Sequence, residues 1–126
     1  MSKSVKKQIL ALENEQAAAI NRRKTREAVK MFVKDFVGFS STRHKRIHGL
    51  GALSRTFQHY MHRAPRMRYR IEQPEVLLSG DTAVATFYWR VDLGPLREVV
   101  KGRGTHVFVR NGNDWRVLHE HFSRAH

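Results

Sequence analysis

The chain has 126 residues, room for one core rather than two, and its 40% hydrophobic and 10% aromatic content is that of a globular protein and not a disordered one. It has no cysteine, which excludes disulfides, thiolate metal sites and a cysteine nucleophile, and it has neither an apolar run of membrane-spanning length nor an apolar signal core behind its basic start. The formal net charge of +13 lies entirely in residues 1–70, with 17 Lys and Arg against 4 Asp and Glu, while residues 71–126 carry 7 of each. These features predict one cytoplasmic domain over residues 1–126, with an N-terminal half whose field favours acidic partners.

In chain order, Val5, Ile9, Leu12 and Ile20 keep one face apolar and predict a first helix, strengthened by Ala17, Ala18 and Ala19. Residues 1–11 read either as the start of that helix or as a basic extension of it. Thr25 to Val37 carries a second helical pattern through Val29, Phe32, Val33 and Phe36. A third helix fits Ala52 to Arg63, with Leu53, Phe57, Tyr60 and Met61 at helical spacing, and Pro65 stops it.

From Arg66 onward the pattern alternates. Met67, Tyr69 and Ile71 face one way and Arg66, Arg68 and Arg70 the other, with Pro74 marking a bulge or edge. Ser79-Gly80-Asp81 is a turn between β-forming runs, and the long strand from Leu96 to Arg110 has Gly102 and Gly104 at which to bend. Asn111 to Asp114 turns the chain into a last strand, Trp115 to Ser123. Helices followed by long antiparallel strands make an α+β fold, in which a sheet curled round three helices encloses a pocket.

The last hairpin decides where the candidate site lies. With Arg110 opposite Trp115, simple antiparallel pairing sets Phe108 against Val117, His106 against His119 and Gly104 against His121. His106, His119 and His121 then share one face, and a slip of one residue would separate His106 from the others. Three readings follow for the trio: a three-imidazole metal site, a general base or hydrogen-bond donor in an apolar cavity, or histidines bonded to protein or water with no chemistry. The same register turns Val107, Val109, Leu118, Glu120 and Phe122 to the other face. There Val107, Val109, Leu118 and Phe122 form an apolar patch suited to a homodimer packed sheet to sheet. Phe108, Trp115 and either Tyr88 or Trp89 are candidates to line the cavity, with Arg90 on the face of Tyr88 as a rim guanidinium for a carboxylate. Asp35, Asp81 and Asp92 fall at a helix end, a turn and a strand end.

"GRGTHVFVRNGNDWRVLHEHFS", preceded in order by "FVGFSS", "RIHGLGALSRTF" and "SGDTAVATFYW", resembles the SnoaL-like branch of the nuclear transport factor 2-like superfamily from about Leu12 onward. The resemblance implies a cone-shaped α+β fold of three helices on a strongly curved antiparallel sheet, a pocket between them and a homodimer through the outer sheet face. It also implies a choice of functions, since the superfamily includes polyketide cyclases, ketosteroid isomerase, limonene epoxide hydrolase and a kinase association domain. The cyclases and the isomerase use a pocket carboxylate as proton shuttle. By the register above Glu120 faces outward, and His121 stands nearest the cyclases' terminal-strand acid. His106 matches a position where the kinase association domain carries an arginine in an anion-binding pocket.

The leading expectation is therefore a dimeric pocket protein for a small, apolar, acidic molecule. As an enzyme it would be an isomerase, cyclase or hydratase without cofactor, using His106, His119 or His121 as base. The alternative is a noncatalytic nucleic-acid- or partner-binding module using the basic half, among others Lys3, Lys6, Lys7, Arg22, Arg23, Lys24, Arg26, Arg43, Lys45 and Arg46.

Overall fold

In the computed structural model, which describes residues 2–95 and 98–125, helix α1 runs Ser2–Asn21 without a break. The start of the chain is thus helical from Ser2, and among the described residues no helix is long and apolar enough to cross a membrane. Ile9, Glu13, Gln16 and Ile20 recur every third or fourth residue and are all buried, so the stripe that packs on the sheet contains a carboxylate and an amide.

The second expected helix is one turn only, α2 (Thr25–Ala28), after which β1 (Phe32–Phe39) begins. Residues four apart share a face in a helix and also in a strand, so the spacing of Phe32 and Phe36 cannot tell the two apart. Both rings are buried, with centroids 4.9 Å apart, and the Val and Phe side chains suit a sheet better than a lone helix. A two-residue strand, β2 (Ile47–His48), leads into α3 (Gly49–Arg63), which ends just before Pro65 as expected.

Four long strands follow: β3 (Arg68–Ser79), β4 (Thr82–Asp92), β5 (Val99–Asn111) and β6 (Asp114–Arg124). Leu96 and Arg97, the expected first residues of the β5 strand, lie outside the described residues. The six strands are ordered β2-β1-β6-β5-β4-β3, and β1 runs parallel to β6, so the sheet is mixed rather than wholly antiparallel. The bulge expected at Pro74 is present as a register shift between Glu72 and Glu75, and Gly80 and Gly112 take positive φ in the two hairpin turns.

Opposite Phe87 and Trp89 the partner residues on β5 are Gly104 and Gly102. A Cβ at Gly104 would lie 2.5 Å from the Phe87 ring, and one at Gly102 would overlap the Trp89 indole and the Ser123 carbonyl. The glycines leave the room against β5 that both rings occupy. Two apolar clusters fill the inner face. One is built on Ile9, Phe32, Phe36, Leu53, Phe108 and Val117, the other on Ile20, Met61, Met67, Tyr69, Phe87 and Trp89. Asn21 ties α1 to β3 between them, its side chain donating to the Tyr69 carbonyl at 2.8 Å and accepting from the Tyr69 N–H at 2.7 Å.

Candidate functional site: a buried carboxylate held by histidine

The last hairpin begins in the expected register, with Arg110 opposite Trp115 and Phe108 opposite Val117, and then slips. Val107 pairs with His119, so Leu118 is an extra residue without a partner, and His106 meets Glu120 instead of His119. This β-bulge reverses the facing of every β6 residue beyond it. Glu120 and Phe122 turn inward, while His119 and His121 turn to the outer face.

The three histidines therefore do not converge. His119 donates from Nδ1 to the Val37 carbonyl at 2.8 Å, and the exposed His121 ring lies 5.2 Å from that of Phe39. His106 alone stays inside, fully buried, between the rings of Phe32 and Phe108 from one cluster and Phe87 and Phe122 from the other. It does not line the cavity.

Both of its ring nitrogens face carboxylates. Nδ1–H donates to Glu13 Oε2 at 2.6 Å and Nε2–H to Glu120 Oε1 at 2.8 Å. Two donated protons make this the imidazolium form. Burial by itself would lower the His106 pKa, but the charge of Glu13 and the hydrogen bonds to Glu120 and Glu13 outweigh it and raise it to about 10. Gly38 stands beside Glu120 across the parallel pairing, and a Cβ there would come within 2.9 Å of both the Glu120 Cγ and its carbonyl oxygen. The missing side chain leaves the space in which Glu120 turns inward.

A cavity of about 470 Å³ opens between α1, α3 and the concave face of the sheet. Its walls are largely apolar, and Glu120 is the one carboxylate among the described residues that line it. Gln16 and Tyr69 also line it, and the Tyr69 pKa is pushed well above its ordinary value by burial and by the charges of Glu13 and Glu120, so the phenol keeps its proton. Arg43, His59, Arg63 and Arg124 stand on the exposed rim. The cavity is thus polarised, with an acid at its inner wall and cations at its mouth.

Of the other expected lining residues, Trp89 lines the cavity and donates its indole N–H to the Arg103 carbonyl at 3.0 Å. Tyr88 is 51% exposed on the outer face, and Arg90 shares that face. Phe108 is core packing beneath His106. Trp115 is also buried and borders a separate cleft against α1, because β6 carries it to the far end of the sheet. Phe122 leaves the outer apolar patch and becomes a cavity residue, stacked on Trp89. The residues at or behind the cavity that sequence reasoning did not place there are Glu13, Gln16, Tyr69, Glu120, Arg63 and Arg124, while Arg43 was expected only on the basic face. Two polar residues on the apolar stripe of the first helix were the available signal for Glu13 and Gln16.

The sequence matches the SnoaL-like domain family over residues 9–126. Among curated proteins no relative matches it. Among solved structures it is similar to a nuclear transport factor 2-like protein of unknown function from Pseudomonas putida, at 25% identity and a TM-score of 0.89, with 98% of this chain and 88% of that one covered. A candidate dehydratase of the same family from Streptomyces avermitilis gives 16% identity and a TM-score of 0.86, covering 100% and 99%. A candidate ketosteroid isomerase from Parabacteroides distasonis gives 24% identity and 0.72, covering 93% and 85%.

Proposed function

Since the chain belongs to the SnoaL-like domain family, within the nuclear transport factor 2-like superfamily, we propose that it is a cofactor-independent proton-transfer enzyme of the isomerase, cyclase or hydratase kind. Its substrate is a small apolar molecule bearing an acidic group. The observation that carries this reading is Glu120, a carboxylate at the cavity wall whose other surroundings are protein, aimed by the buried His106–Glu13 pair.

In the proposed step Glu120 takes a proton from a carbon next to a carbonyl, and the C–H bonding pair moves into the enolate. The Tyr69 phenol, or the Gln16 amide, donates a hydrogen bond to the enolate oxygen. Glu120 then returns the proton to the same or a neighbouring carbon, or the enolate carbon attacks a second carbonyl, whose C=O π pair becomes an alkoxide that takes the proton back from Glu120 as the ring closes. His106 touches no substrate. It is a positioning residue, and its fixed imidazolium prevents Glu120 from rotating away when an apolar ligand displaces water.

The test is exchange of α-protons of small apolar ketones and thioesters into D2O, followed by NMR. Glu120→Gln keeps size and one hydrogen bond and is expected to lower exchange by about 10²–10⁴-fold with ligand affinity nearly unchanged. Exchange at the wild-type rate in that variant would remove Glu120 from the chemistry.

The same reading includes a homodimer through the outer sheet face. Val107 and Val109 lie there, and Leu77 and Leu118 are 67% and 43% exposed. Leu118→Asp should halve the mass seen in light scattering, and a wild-type protein that is already monomeric would dispose of the dimer.

A further inference from the structure

Residues 36–71 contain eight Lys and Arg, four His and not one Asp or Glu. This segment runs from β1 through the β1–β2 loop and α3 into β3, and it supplies most of the cavity mouth. The Thr42 hydroxyl and the Tyr60 phenol are hydrogen-bonded across that mouth, which brings Arg43 of the loop and His59 and Arg63 of α3 onto one rim. Arg124, from the end of β6, completes it. Among the described residues Arg43, Arg63 and Arg124 take part in no ion pair and donate no side-chain hydrogen bond, although Arg22, Arg70 and Arg116 each find a carboxylate. Beyond the rim the loop continues with exposed His44, Lys45 and Arg46.

A single carboxylate on a ligand would answer one of these guanidinium groups. Three unpaired arginines on the rim, with Lys45 and Arg46 leading away from it, match a group that carries several negative charges over some length. Arginine's planar fork fits phosphate oxygens in particular. The cavity behind the rim is apolar, with Glu120 in its wall, so the charged part stays outside while an uncharged part goes in.

We propose that the substrate is an apolar acyl group carried on a phosphorylated handle, with the handle on Arg43, Lys45, Arg46, Arg63 and Arg124 and the acyl chain in the cavity. A thioester or ester linkage would place an acidic α-carbon inside the mouth, within the space Glu120 faces. This rests on the proton-transfer reading of the cavity and adds to it the carrier, hence the class of molecule and the direction in which it enters.

Calorimetric titration of the purified protein with octanoyl-coenzyme A, octanoate, octanol and coenzyme A separates the two layers. Octanoyl-coenzyme A is expected to bind at least about tenfold more tightly than octanoate, a difference of about 1.4 kcal/mol. Raising salt from about 50 mM to about 500 mM should erase most of that advantage, because exposed charges are screened at that ionic strength. The double variant Lys45→Gln/Arg46→Gln, altered outside the cavity wall, should lose the thioester's advantage and keep octanoate affinity. Equal binding of thioester and octanoate, or an unaffected double variant, overturns the handle while leaving the cavity reading intact. Coenzyme A binding as tightly as its thioester also overturns it, since no acyl group would then be entering. A short single-stranded RNA that binds more tightly than the thioester and is lost in the double variant assigns the basic face to nucleic acid instead. If none of the octyl compounds binds, the cavity reading itself falls, and the handle with it.

Discussion

Replacing His106 with leucine keeps its volume nearly constant and removes the one cation between Glu13 and Glu120. Both ring nitrogens hold carboxylates at 2.6 and 2.8 Å with no water-accessible surface on the ring, so the change leaves two buried carboxylates without their partner. Breaking a buried ion network in this way is destabilising by about 3–5 kcal/mol. For a chain of this length an unfolding entropy of roughly 2.1 cal/mol/K per residue makes each kcal/mol worth about 4 °C, so the melting temperature should fall by about 11–19 °C. The pH dependence is a second readout of the same contact. His106 has its pKa raised to about 10 in the folded protein, above its unfolded value of roughly 6.5. Its stabilisation is therefore complete below about pH 6.5 and is lost as pH rises towards about 10. Across pH 7 to 9 that loss is about 2–3 kcal/mol. Urea unfolding followed by circular dichroism at several pH values would measure it, and His106→Leu should lack this component of the slope. The triple variant Glu13→Leu/His106→Leu/Glu120→Leu should recover much of the stability, because an apolar replacement of the whole network leaves no unpaired charge. A His106→Leu variant within about 1 kcal/mol of wild type, with the wild-type pH slope retained, would refute the buried imidazolium.

Gly38→Ala forces a Cβ to within 2.9 Å of Glu120 and 2.5 Å of the Phe36 ring, and overpacking of this kind destabilises by about 1–3 kcal/mol. Thermal unfolding should show it, together with slower α-proton exchange because Glu120 is displaced. A fully wild-type variant would mean the Glu120 backbone yields freely. Asn21→Ala removes both partners of the Tyr69 backbone, and thermal unfolding should report a loss of about 2–3 kcal/mol. A loss below about 0.5 kcal/mol would show that water replaces the side chain without penalty. His119→Ala and His121→Ala lie on the outer face and should leave ligand affinity within about twofold, with His119→Ala destabilised by no more than about 1 kcal/mol. A tenfold loss of affinity in either would return those imidazoles to the site.

Local chemistry was enough for the sequence to determine the first and third helices, the two hairpin turns at Gly80 and Gly112, a bulge or edge at Pro74 and the α+β class. Each rests on short-range spacing or on one residue's backbone preference, neither of which needs to know its neighbours in space. The segment from Phe32 to Val37 was not determined, because a four-residue repeat satisfies both a helix and a strand, and only pairing with β6 and β2 selects the strand. The site was not determined for a related reason. Alternation along β6 is regular in the sequence, but one unpaired residue, Leu118, inverts it, and with no Pro or Gly there nothing local separates this bulge from a continuous ladder. That inversion exchanges His119 and His121 for Glu120 and Phe122 on the inner face. Glu13 lies 93 residues from His106 along the chain, so their contact exists only once α1 has packed on the sheet. Residue types and their order set the available acids, bases and cations, while a one-residue register and the docking of one helix decided which of them meet.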